Sequence, residues 1–137
     1  MLGVITLKKN IVKCHCGAHA MLRPASVVHG NNVKKEYLYI CSRYPTCDSY
    51  VGIHKKSMKP LGTLANKELR IKRVQAHRAF NHLWESGLMK KWQAYKWMAG
   101  KFGLNNQQAH IAKFSEYMCD ELIKLCEKSF QNNKLAS

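Results

Sequence analysis

The spacing of apolar positions changes near the middle of the chain. Before about residue 56 they come in short runs: "VITL" at 4–7, "EYLYI" at 36–40 and "SYVGIH" at 49–54. Short β-branched and aromatic runs bounded by turn residues predict strands. "HGNNV", between Ser26 and Lys34, predicts a turn. After "KKSMKPLG" at 55–62, with its Pro60, Gly62 and three lysines, the period becomes helical.

Three helices are predicted there. The first runs from about Leu64 to Ser86, with Thr63 as N-cap and Gly87 as stop, and carries Leu69, Ala76, Phe80 and Leu83 on one face widened by Trp84. The second runs from about Leu88 to Phe102, on a stripe of Leu88, Trp92, Tyr95, Ala99 and Phe102, and stops at Gly103. The third is capped by Asn105 or Asn106 and reaches about Phe130, with Ile111, Phe114, Met118, Leu122 and Leu125 on one stripe. The expected fold class is α+β: a small β-rich domain over 1–56, a linker over 57–63, a three-helix bundle over 64–131 and a tail over 132–137.

Composition sharpens this picture. The chain has 137 residues and is 46% hydrophobic, enough for one ordinary domain or two small ones. No run of about 18 apolar residues is present, so no membrane span is expected. The first ten residues hold too short an apolar stretch for a signal peptide. A cytoplasmic setting follows as an expectation. There, clustered cysteines favour metal binding over disulfides.

Four of the six cysteines lie in the first 47 residues, as "CHC" (Cys14, Cys16) and "CSRYPTC" (Cys41, Cys47). Zinc takes four ligands in a tetrahedron and thiolates suit it, so two close pairs on two turns match its demand. Gly17 follows the first pair, where a small residue lets backbone N–H groups approach sulfur, and Pro45 and Thr46 tighten the second turn. The predicted role is structural Zn2+, which makes 1–56 a zinc-ribbon-like domain: a staple for a half too small to build a core alone. His15 or His54 is an alternative ligand in place of one cysteine. A second site pairing His110 with Cys119, nine residues on, is a further alternative; Cys119 and Cys126, seven apart, fit core packing.

The net charge is +15, with eight acidic residues. Such a field attracts nucleic acid, an anionic membrane surface or an acidic protein face and argues against mimicry of DNA. In the first two helices Lys67, Arg70, Lys72, Arg73, Arg78, Lys90, Lys91, Lys96 and Lys101 stand against Glu68 and Glu85 alone. Arg70, Arg73, Arg78, Lys90, Lys91, Lys96, Trp97 and Lys101 form the predicted binding face, with the Trp97 ring among cations suited to base stacking. The competing role for Trp97 is packing on the ribbon. "AYKWMAGKFGLNNQQAHIAKF" also fits a helix-turn-helix, with Asn106, Gln107, Gln108 and Lys113 opening its second helix, although Glu116, Asp120, Glu121 and Glu127 follow. The ribbon half holds only Glu36 and Asp48 as acids, and the chain lacks paired carboxylates, a nucleophile elbow and a glycine-rich phosphate loop. No enzymatic activity and no small-molecule substrate are expected.

"CSRYPTC" resembles the second half of the four-cysteine zinc ribbons at the C-termini of bacterial type I topoisomerases, which bind single-stranded DNA. More broadly, "CDSYVGIHKKSMKPLGTLANKELR", "AHRAFNHLW", "AYKWMAGKFGL" and "AHIAKFSEYMC" resemble, in order, a phage and prophage family known as a zinc-finger-containing domain of unknown function. That family has a two-residue spacing in its first cysteine pair, where this chain has "CHC". The resemblance implies zinc, a phage origin and with it the host cytoplasm as the expected location, and no reaction. Two functions are therefore expected. One is a nucleic-acid-binding protein acting through its basic face. The other is an anti-defence, anti-CRISPR inhibitor that docks on a nucleic-acid-handling host protein, a Cas nuclease such as Cas9, and blocks guide or target DNA loading.

Overall fold

The computed structural model describes residues 12–31 and 36–136, with side chains through residue 133. The strand expected over "VITL" and the second half of the "HGNNV" turn lie outside the described residues. The chain divides into two compact units with the boundary between Lys67 and Glu68. A small antiparallel sheet occupies the first and helices the second, so the fold is α+β. Among the described residues no helix is long and apolar enough to cross a membrane.

Among the described residues the sheet has four strands in sequential order: β1 (Val12–Lys13), β2 (His19–Pro24), β3 (Tyr37–Cys41) and β4 (Tyr50–Val51). A single-turn helix, α1 (Ser26–His29), follows β2. Register pairs Ala20 with Cys41 and Tyr39 with Val51. Because successive side chains alternate between faces, Ala20, Tyr39, Cys41 and Val51 share one side, where Cys14 and Leu64 join them. Leu38 and Ile40 share the other, against Ala25 of the α1 entry. Each apolar cluster is thin, as expected when so few residues divide their apolar side chains between two faces.

The segment read from sequence as a linker over 57–63 is instead paired to the sheet. Ile53 bridges Pro60, His54 N donates to Lys59 O at 2.8 Å, and Leu61 N donates to Gly52 O at 2.9 Å. Tyr50 and Ala65 then exchange two backbone hydrogen bonds at 3.0 and 3.2 Å. This arm satisfies the outer edge of β4, which would otherwise present unpaired N–H and C=O groups. Leu64, expected to open the first helix, is fully buried beneath the sheet.

The helical unit contains α2 (Lys67–Glu85), α3 (Lys91–Phe102), a 3-10 turn (Ile111–Lys113) and α4 (Glu116–Ala136). Leu69, Ala76, Phe80 and Leu83 are buried along α2 as its periodicity predicts. Phe80 is fully buried and meets the edge of Tyr95, ring centroids 4.9 Å apart. The core face of α3 is rotated from the predicted stripe: Ala94, Met98 and Ala99 are buried, whereas Trp92 is exposed. Leu88 precedes the helix, so the stripe loses its first anchor, and the unbranched Met98 fills the centre.

The third predicted helix breaks in two. Asn105 and Gln108 do cap each other, Gln108 N donating to Asn105 Oδ1 at 2.9 Å and Asn105 N to Gln108 Oε1 at 3.1 Å, but they close only a turn. The long helix begins at Glu116, where Ser115 Oγ accepts from Met118 N at 3.2 Å. Its buried face is Cys119, Leu122 and Cys126, and it continues through the expected tail to Ala136. No helix opens directly after Gly103, so the helix-turn-helix is not formed: Asn106, Gln107 and Gln108 lie in a turn and Lys113 in the 3-10 segment.

Candidate metal centre

Two loops carry the four thiols. Between β1 and β2 the chain turns tightly, with Cys14 N donating to Ala18 O at 2.8 Å and Gly17 N to Cys14 O at 3.0 Å. Gly17 sits at φ +94°, a conformation that disfavours any residue with a Cβ. Between β3 and β4 the chain turns through "CSRYPTC", with Tyr44 N donating to Cys41 O at 2.9 Å, Cys47 N to Arg43 O at 3.2 Å, and a cis Tyr44–Pro45 bond. Pairing of β2 with β3 sets these two loops at the same end of the sheet, since Ala20 lies opposite Cys41.

There the sulfurs of Cys14, Cys16, Cys41 and Cys47 all lie within 4.8 Å of one another. Cys14 Sγ is 3.6 Å from Cys47 Sγ, and Cys16 Sγ is 3.5 Å from Cys41 Sγ. A zinc ion with Zn–S bonds of about 2.3 Å requires tetrahedron edges of about 3.8 Å, so the spacing fits a four-thiolate site. It is far from the roughly 2.05 Å of a disulfide, and all six cysteines are free thiols. The partners cross between loops: each close pair joins one cysteine of "CHC" to one of "CSRYPTC". His15 and His54 are exposed and lie outside this set.

Backbone amides support the sulfurs. The Cys14, Cys41 and Cys47 thiols are hydrogen-bonded by the backbone of Cys16, Arg43 and Ser49, two residues further on in each case. Such donors favour the thiolate that a metal needs and fix its direction. Other forces act on the thiols unequally. Burial pushes the Cys14 thiol up, and pushes Cys41, fully buried, up to about 12. The Ser49 hydroxyl, 3.4 Å from Cys47 Sγ, draws that thiol down to about 7. A bound cation would have to displace the protons that burial holds on Cys14 and Cys41.

The other predicted site residues separate by burial. Arg78, Lys90, Lys91, Lys96 and Lys101 are exposed, and Arg70 is half-buried. Arg78, Lys90, Lys96 and Lys101 form no ion pair among the described residues, whereas Lys72 pairs with Asp120 at 2.7 Å. The Lys91 ammonium lies 5.0 Å over the Trp84 ring. Arg73 leaves the predicted face: it is 8% exposed and its Nε donates to Phe114 O at 3.1 Å. Every seventh residue of α2 from Leu69 faces inward, and Arg73 falls between Leu69 and Ala76 on that side. Trp97 is half-buried against the helical core. The exposed ring of α3 is Trp92, which sequence periodicity had assigned to the core stripe. His110 is exposed while Cys119 is fully buried, so these two are not presented together.

Replacing Arg73 by Leu is expected to destabilise the helical unit by about 1–3 kcal/mol, because the buried Phe114 carbonyl loses its donor. Thermal melting followed by tryptophan fluorescence would measure this. Unchanged melting would show that the hydrogen bond from Arg73 to Phe114 does not hold α2 in place.

A family model described as a zinc-finger-containing domain matches residues 10–129, which include all four cysteines and most of the helical unit. No curated protein and no solved structure matches the chain.

Proposed function

The chain belongs to the zinc-finger-containing domain family, and on that footing we propose that it is a non-enzymatic nucleic-acid-binding protein built on structural zinc. Cys14, Cys16, Cys41 and Cys47 would hold the ion. Its contribution is to tie the β1–β2 and β3–β4 loops together where the sheet has little apolar surface to do so. Binding would come from the positive surface of the helical unit. The observation that carries this reading is that Arg78, Lys90, Lys96 and Lys101 are exposed without ion pairs among the described residues, on a chain of net charge +15. Cations left unneutralised by their own protein are available to phosphate, and each phosphate they neutralise releases counterions.

Fluorescence anisotropy with labelled DNA and RNA tests this. Affinity is expected to fall by roughly a thousandfold or more between 50 and 200 mM salt if about six or more phosphates are contacted. Reversing Lys90, Lys96 and Lys101 to Glu together should abolish binding while leaving the fold intact, since all three are exposed. Absence of binding to any nucleic acid at low salt would sink the proposal. The anti-CRISPR alternative uses the same positive surface on a different target. It predicts a stable complex with a Cas nuclease and inhibited cleavage, with no affinity for free nucleic acid.

A further inference from the structure

Three tryptophans lie on α2 and α3, and their surroundings separate them. Trp84 packs on the helical core beneath the Lys91 ammonium, and Trp97 packs on the same core. Trp92 is 62% exposed. An indole left in water forgoes a large apolar burial, and such amphipathic rings are enriched where a partner supplies the missing surface.

The ground around Trp92 narrows the choice of partner. The α3 sequence "KWQAYKWMAGKF" contains no acidic residue. Trp92, Lys96 and Gly100 follow one another at steps of four, which places them along one side of the helix. Lys96 and Gly100 are exposed, and a Cβ built on Gly100 would meet nothing within 4 Å. The exposed ring is thus followed, one helical turn of about 5.4 Å along, by an ammonium and then by a glycine with open space beside it. A flat aromatic ligand carrying negative charge at regular intervals matches a ring with an ammonium one turn away and no acidic residue on its helix. In a duplex the base faces are covered by their stacked neighbours, so only an unpaired strand offers one to an indole.

We propose that Trp92 is a stacking platform for an unpaired base, with Lys96 contacting the adjoining phosphate, and that the preferred ligand is a single strand. This rests on the reading of the chain as a nucleic-acid binder and adds which form it takes.

The test uses the full zinc-loaded chain with oligothymidylate, oligouridylate and a duplex, each of about 20 units, longer than one binding site. Wild-type protein is expected to prefer the single strands over the duplex. Trp92→Ala should weaken single-strand binding about 5- to 150-fold, the range for loss of one stacked base, and leave duplex affinity and the salt slope unchanged. Trp92→Phe should recover part of the loss, and Lys96→Ala should reduce the salt slope by about one on every ligand. The thymidylate and uridylate arms distinguish DNA from RNA as the preferred strand. If Trp92→Ala binds every ligand as wild type does, or loses single strand and duplex equally, stacking at Trp92 is refuted while the nucleic-acid reading stands. If wild-type protein binds none of the three ligands, both fall together.

Discussion

Stripping the metal with a chelator is expected to unfold the sheet unit and leave the helical unit folded. Among the described residues the sheet's two apolar clusters are small and lie on opposite faces, one around Tyr39 and Cys41, the other around Leu38 and Ile40. Structural zinc sites in comparably small folds supply about 10–16 kcal/mol of apparent binding energy, as much as the whole stability of an ordinary domain. Cys41→Ser should act like the chelator, because it replaces a fully buried sulfur on the central strand β3. The three tryptophans all lie in the helical unit, so their emission should hold steady while amide signals from residues 12–66 collapse. Exposed His15, outside the four-sulfur set, provides the control: His15→Ala should retain a full complement of zinc.

Acidification should release the same metal. The metal-bound form requires thiolates, whereas the metal-free fold holds protons on Cys41, pushed up to about 12, and on Cys14, also raised. Metal uptake therefore releases protons, and apparent affinity falls as pH falls. Metal content measured across a pH series would show this. A Cys41→Ser protein with full metal content and unchanged amide signals would overturn the assignment of the site.

Replacing Phe80 by Ala should have the largest effect on the helical unit, destabilising it by about 3–5 kcal/mol through lost burial and the cavity left behind. Phe80 is fully buried at the centre of a core drawn from α2, α3, the 3-10 turn and α4, and it loses its edge contact with Tyr95. Against a typical stability of about 5–15 kcal/mol, that leaves the helices marginal. Tryptophan-monitored melting should register the change while zinc content stays at the wild-type level. A shift below about 1 kcal/mol, within the range of surface substitutions, would show that Phe80 does not anchor this core.

The cysteine pairs were legible because their spacing and their turn residues are local. Gly17 allows the left-handed turn after "CHC", and "CSRYPTC" closes a loop between two strands whose apolar runs are themselves readable. The α2 face was legible for the same reason: Leu69, Ala76, Phe80 and Leu83 repeat over a long helix, where one period dominates. Shorter segments were not. A twelve-residue α3 with apolar residues on most sides offers several competing stripes, and the sequence alone favoured one containing Trp92. Which side is buried depends on the neighbouring helices, and Ala94 and Met98 fit there.

Arg73 shows the same limit from the opposite direction. A basic residue among other basic residues reads as part of a surface, and nothing nearby in sequence announces a carbonyl 41 positions away as its partner. Residues 57–63 read as a linker because Pro60, Gly62 and the lysines lack a strand pattern, yet the free edge of β4 recruits their backbone. Residue type and short-range spacing were enough to set the α+β order, the four candidate ligands, the charge and the inward face of α2. Packing between distant segments set how the thiols pair across loops, where the sheet unit ends, and which arginine and which tryptophan reach solvent. Those outcomes rest on burial and hydrogen bonding between parts of the chain far apart in sequence, which no local period encodes.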